Sequence, residues 1–91
     1  MAKDVVIIYS TKAQKELRQL DFYISSKIVK KVTKLSHASN PLVGAKALTG
    51  ILSQKYRYRV GDYRIIFTYD DKGKVSVLNI LKVGHRKDIY R

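Results

Sequence analysis

The stretch Lys55-Tyr56-Arg57-Tyr58-Arg59-Val60-Gly61-Asp62-Tyr63-Arg64-Ile65-Ile66-Phe67 decides how this chain folds. Charged and aromatic side chains alternate through its first half with period two, the pattern of a strand with one polar and one apolar face. Gly61-Asp62 then supplies a two-residue turn, and a second, more apolar run follows, so the segment is a β-hairpin. In an extended chain Lys55, Arg57 and Arg59 point the same way, about 7 Å from one to the next. Cations held that close repel one another unless an anion settles among them, and that spacing suits a phosphate.

Working outward from the hairpin, the second strand is expected over residues 63–69. It ends at Asp70-Asp71-Lys72-Gly73, another strong turn signal, and a third strand is expected over 74–83, closed by Gly84. Toward the N-terminus, Ser36 to Gly50 carries Ser39-Asn40-Pro41, Gly44 and Thr49-Gly50, and reads as a connection with at most one helical turn. Before it, Ile24, Ile28, Val32 and Leu35 recur at helical spacing, with Phe22 and Val29 flanking, which predicts a helix running from Asp21 to about Leu35. Ala13, Leu17 and Leu20 predict a shorter helix over 11–20, opened by an N-cap at Ser10-Thr11 and a capping box Thr11-x-x-Gln14. Residues 4–9, rich in Val and Ile, form a first strand whose place in the sheet the pattern leaves open. The expected fold class is therefore α+β: an N-terminal strand and a helical hairpin packed on an antiparallel sheet. One domain, 1–91, accounts for the whole sequence.

The helices can cover one sheet face, so the polar members of each alternation fall on the other. Arg57 and Arg59 belong there by parity, and Arg64 follows the turn. Arg86 leaves the end of the last strand beside His85. The expectation is that these side chains converge on one basic concavity. Tyr56, Tyr58 and Tyr63 are read as packing residues, His37 as a helix-end residue interacting with the dipole, and Asp62 as part of its turn.

The formal charge is +12, from 19 Lys and Arg against 7 Asp and Glu. For 91 residues this balance implies a polyanionic partner, such as nucleic acid or an acidic protein. With 45% hydrophobic residues the chain is not a disordered basic tail. The longest apolar run, Val5-Val6-Ile7-Ile8, is too short for a membrane span or a signal-peptide core. The row Lys27, Lys30, Lys31 and Lys34 is read as a solvated helix face rather than a lipid-binding one. No cysteine is present, so disulfides and thiolate chemistry are excluded, and a cytoplasmic setting is expected. The seven carboxylates show no metal-ligand or paired-acid spacing.

Three segments, Leu48-Thr49-Gly50, Tyr56 through Phe67, and Val83-Gly84-His85-Arg86-Lys87-Asp88-Ile89-Tyr90, resemble in order and spacing the RelE/ParE superfamily of toxins from toxin–antitoxin systems. The resemblance implies a RelE-like domain neutralised by a cognate antitoxin in a hetero-oligomer that binds operator DNA through the antitoxin. In the RelE branch, the favoured one, it implies a ribosome-dependent endoribonuclease. Such a toxin cuts mRNA by attack of the ribose 2′-hydroxyl on the adjacent phosphorus, with no metal and no cofactor. The ParE branch instead poisons DNA gyrase, and a degenerate toxin that only binds antitoxin is a third alternative. By position the resemblance places catalytic roles on Arg57, Arg59, Arg64, Arg86 and Tyr90. Lys55, Lys82 and Lys87 are expected to contact the RNA.

One departure affects the chemistry. The familiar RelE pattern has lysines where Arg57 and Arg59 stand. Arginine stays protonated, so the pair suits a phosphate clamp better than a general base. His85 is the expected base, because imidazole titrates near neutrality and neighbouring arginines keep it neutral. Lys55 is the alternative base. Tyr90 is expected to stack on an unpaired nucleobase.

Overall fold

The chain was analysed as a computed structural model, which describes residues 4–38, 42, 44–48, 55–71, 73 and 75–89. The order of elements is β1 (Asp4–Tyr9), α1 (Thr11–Gln19), α2 (Phe22–Ser36), β2 (Lys46–Ala47), β3 (Tyr56–Val60), β4 (Tyr63–Asp71) and β5 (Val75–His85). The five strands form one sheet in the order β1-β5-β4-β3-β2. β3, β4 and β5 make an antiparallel meander, whereas β1 lies parallel to β5 at the edge. The sheet is therefore mixed rather than antiparallel. The α1–α2 hairpin supplies the long crossover that a parallel neighbour requires.

Two further expectations need correction. The connection expected between α2 and β3 contains a short strand, β2, whose Lys46 and Ala47 pair with Arg57 and Tyr56. Gly84 does not end β5, which continues to His85 and pairs there with Tyr63. Both misreadings have the same origin. A glycine or a two-residue edge strand is held by cross-strand partners, and these leave no local periodicity.

The hydrophobic core lies between the helices and one sheet face. Ala13, Ile28, Val32 and Leu35 from the helices meet Ile65, Phe67, Leu78, Ile80 and Val83 from β4 and β5. Phe67, Ile65, Leu78 and Ile80 are among the largest fully buried side chains. Each such side chain contributes on the order of 2 kcal/mol when removed from water. Tyr56 stacks on Phe67 with ring centroids 5.7 Å apart, and Tyr58 packs beneath the Lys31 ammonium, 5.4 Å from the ring centre. The tyrosines of β3 thus pack, and Lys31 covers one of them instead of standing free in the lysine row. Phe22, placed beside the apolar stripe of α2, points out to solvent at 84% exposure.

The ends of the helices are set by side chains. Ser10 caps α1 by accepting the Ala13 N–H, and Asp21 caps α2 by accepting from Tyr23. The capping box does not form as drawn, because Gln14 donates to the Tyr9 carbonyl instead. Where β1 ends, the N-cap of α1 and a side chain of that helix's second turn continue the strand's role along the edge of β5. The Ser10 hydroxyl donates to the Leu81 carbonyl at 2.9 Å, and the Glu16 carboxylate accepts the Val83 N–H at 2.9 Å. These bonds fix the helical hairpin on the sheet just beside the end of β5 that carries His85 and Arg86.

The face away from the helices is not wholly open. Ile66, whose register neighbours are Arg57 and Lys82, is 4% exposed, and Ile89 is 1% exposed, yet neither belongs to the main core. The chain turns after His85 through bonds from the Asp88 and Ile89 N–H groups to the His85 carbonyl. This turn brings Ile89 Cδ1 to 3.4 Å from where a side chain on Gly84 would begin. A Cβ at position 84 would already touch Ile89, so the glycine lets this turn pack closely and a larger side chain would press on it.

Candidate active site

The cross-strand register determines which cations share a surface. Arg59 stands directly opposite Arg64, and Arg64 opposite Gly84. One rung away, Lys46, Arg57, Ile66 and Lys82 form a row across four strands. Directly paired residues project to the same face. The two rows therefore put Arg57, Arg59, Arg64, Lys46 and Lys82 on the face opposite the helices. Lys55 precedes β3, and its carbonyl accepts the Leu48 N–H at 2.9 Å, which extends the β2–β3 pairing by one residue. By alternation it belongs to the same face.

The Gly61-Asp62 turn gathers three of the four expected arginines. Gly61 adopts φ +58°, a conformation that favours glycine in a two-residue hairpin turn. Its carbonyl accepts from Arg59 Nε at 3.3 Å and from Arg64 at 3.2 Å, and Arg64 also donates to the Tyr63 carbonyl at 3.2 Å. The carbonyl of Asp62 accepts the Arg86 N–H at 2.8 Å, docking the C-terminal turn onto the hairpin. The Asp62 carboxylate lies 3.9 Å from Arg86 Nε, with both side chains more than half exposed. This pair is too long for a hydrogen bond and contributes little to stability. Asp62 thus also engages Arg86, a role beyond its turn.

Like charges placed directly opposite in a sheet destabilise it. Among the described residues, the acceptors of Arg59 and Arg64 are main-chain carbonyls rather than carboxylates. Two guanidiniums converging on one neutral oxygen retain most of their N–H donors for an incoming anion. Lys46 was missed as part of this surface, because its place depends on β2, which has no signal in the sequence.

His85 does not join the cluster. It pairs with Tyr63 and shares the parity of Val83, so it stands on the helix side of the sheet, with its ring edge-on to Tyr63 at 5.4 Å. Its Nδ1 accepts the Lys87 N–H at 3.2 Å, which in the neutral ring leaves the proton on Nε2. Both the face and the tautomer argue against His85 as the base for a phosphate held by Arg59 and Arg64. Lys87 is exposed on the turn after β5. Tyr90 lies outside the described residues, as do Thr49 and Gly50. No group of three or more potential metal-ligating side chains is found among the described residues. No described helix is long and apolar enough to cross a membrane.

A family model described as the ParE toxin of the type II toxin–antitoxin system parDE matches residues 7–90. This chain is a member of the RelE/ParE toxin superfamily. The toxin is similar to a chain of the toxin–antitoxin complex RelBE2 from Mycobacterium tuberculosis, with 30% identity and a TM-score of 0.75 over 89% of this chain and 96% of that one. It is also similar to a chain of the RelB–RelE antitoxin–toxin complex from Methanococcus jannaschii, at 26% identity and a TM-score of 0.68, covering 91% and 94% of the two chains. The YoeB/ParE toxin from Agrobacterium tumefaciens shares the fold at 13% identity, with a TM-score of 0.73 over 88% and 97%. A search of curated proteins found no significant match. Two helices packed on a five-stranded mixed sheet are thus the fold of a type II toxin.

Proposed function

We propose that this toxin is a ribosome-dependent endoribonuclease that cleaves mRNA, and that a cognate antitoxin neutralises it. The observation that carries the reading is the direct opposition of Arg59 and Arg64, both directed at the Gly61 carbonyl, with Arg57 one rung away. Such an arrangement costs folding energy and becomes favourable when a phosphodiester enters. The charge of +12 favours RNA and an acidic antitoxin alike.

In the proposed reaction the 2′-oxygen bonds to phosphorus while the bond from phosphorus to the 5′-oxygen breaks. The products are a 2′,3′-cyclic phosphate and a 5′-hydroxyl. Arg57, Arg59 and Arg64 neutralise charge on the pentacovalent phosphorane, the role in which preorganised donors contribute most. Arg86, held at the same turn, stabilises the charge on the departing 5′-oxygen, which takes a proton from water to become the 5′-hydroxyl. The 2′-hydroxyl proton passes to Lys55, the amine that continues the arginine row and, unlike a guanidinium, can lose its proton. His85 is left with a positioning role against Tyr63.

The match to the ParE family model favours a second reading, inhibition of DNA gyrase without cleavage. Purified toxin added to a translating extract separates the two. Fragments of message ending in 2′,3′-cyclic phosphate, absent without ribosomes, are expected. Intact message together with loss of gyrase supercoiling would replace the nuclease with the gyrase reading.

A further inference from the structure

The Gly61-Asp62 turn has a second side. Opposite the arginines, between the start of α2 and the hairpin, lies a cleft of about 170 Å³ lined by Tyr23, Ile24, Lys27, Val60, Asp62 and Tyr63, with Gly61 at its edge. Drug-sized ligands occupy pockets of about 300 Å³ or more, so this cleft suits a single flat ring system. Two of its walls are tyrosines, and Lys27 Nζ sits 5.1 Å from the centre of the Tyr23 ring. Tyr23 is 69% exposed although it is a large aromatic side chain, and the packing of the fold gives no reason for it. The one carboxylate in the lining, Asp62, is too far from Arg86 to be hydrogen-bonded to it, so its oxygens retain acceptor sites.

We infer that this cleft is a nucleobase subsite that selects guanine. The inference rests on the nuclease reading and deepens it. A nucleotide whose phosphate lies on Arg59 and Arg64 passes its ribose over the Gly61-Asp62 turn and places its base between Tyr23 and Tyr63. Aromatic side chains hold unpaired bases by stacking, whatever the base. The carboxylate adds choice. Guanine presents N1–H and the N2 amino group side by side, two donors matched to two carboxylate oxygens. Hypoxanthine lacks the amino group, and uracil offers one N–H between two carbonyls, which a carboxylate repels. Lys27 contributes positive charge at the rim.

The test is an NMR titration of the purified toxin with inorganic phosphate and with the 5′-monophosphates of guanosine, inosine and uridine. Guanosine monophosphate is expected to bind about tenfold tighter than the other two, the scale of a good bidentate base contact. Asp62→Asn is expected to erase that preference. Tyr23→Ala is expected to weaken every nucleotide about tenfold while leaving phosphate binding unchanged. Both positions are mostly exposed, so the variants are expected to fold, and their amide spectra verify it. Equal affinity for the three nucleotides, or indifference to both substitutions while phosphate still binds through Arg59 and Arg64, would overturn the base subsite and leave the nuclease reading standing. Absence of any binding, phosphate included, would overturn both.

Discussion

Replacing Arg59 with glutamine should stabilise the fold while destroying activity. Arg59 Nε and the Arg64 guanidinium nitrogen each lie within 3.3 Å of the Gly61 oxygen, so the two can be no farther apart than twice that distance. Two unit charges at about 6.5 Å repel by about 0.6 kcal/mol in bulk water and about 2.5 kcal/mol at an effective permittivity of 20. Arg59 is exposed, and solvent screening brings the figure toward the lower end. Glutamine retains a donor for the Gly61 carbonyl and removes the charge. The expected gain is about 0.5–1 kcal/mol, or roughly 2–6 °C in Tm for a domain of this size. Thermal unfolding followed by circular dichroism at about 0.01 M and about 1 M salt reads this directly. The gain should be large at the lower concentration and nearly vanish at the higher, where the Debye length falls to about 3 Å. Cleavage by the same variant should fall at least about 10²-fold, the scale of one lost electrostatic donor. A variant that is less stable at both salt concentrations would show that Arg59 is scaffold, and the argument from stored repulsion would fail.

Four further outcomes are expected. Arg64→Ala and Arg86→Ala should each abolish growth arrest while leaving antitoxin binding nearly intact in a pull-down; parallel loss of binding would make these residues structural. Glu16→Ala strands the Val83 N–H beside the core and should cost about 1–3 kcal/mol in urea unfolding, whereas Glu16→Gln, which retains an acceptor, should cost less. Gly84→Val drives a side chain into Ile89, so it should displace the C-terminal turn and Arg86 and lower activity before it lowers Tm. Burial pushes the Tyr9 hydroxyl above its ordinary pKa, and among the described residues this hydroxyl has no hydrogen-bond partner. The unfolded tyrosine ionises first, so the titration of Tyr9 leaves stability unchanged below about pH 10 and lowers it as pH rises past that value toward the raised folded pKa. Tyr9→Phe should flatten this alkaline loss and be neutral or stabilising at pH 7.

Most of the fold was legible because its signals are local. The alternation at residues 55–60, the Gly61-Asp62 turn and the stripe Ile28, Val32, Leu35 each lie within one element, and each element formed where the pattern placed it. What was not legible is held by distant partners. β2 exists because Lys46 and Ala47 meet Arg57 and Tyr56, and β5 runs through Gly84 because β4 lies beside it. The same distinction divides the candidate site. Parity alone put Arg57 and Arg59 on one face, but placing His85 required counting through the Ile66/Phe67 bulge and two registers. Proximity in sequence to Arg86 suggested that His85 joins the arginines, whereas alternation within β5 sends it to the face opposite Gly84, which stands in the Arg59–Arg64 row.

The short hairpin turn explains why a basic chain tolerates its own charge. Gly61 offers one carbonyl to two guanidiniums, Asp62 offers its carbonyl and a distant carboxylate to the segment of Arg86, and the left-handed glycine makes the turn tight enough for both. None of these contacts neutralises a cation. Each one orients a cation through a dipole or a weak pair and leaves its charge unspent. A buried carboxylate in the same place would stabilise the fold more and would also occupy the donors a phosphate needs. The turn therefore holds the arginines in position without satisfying them, and on the proposed reading the repulsion left between Arg59 and Arg64 is energy that a phosphodiester would recover on binding.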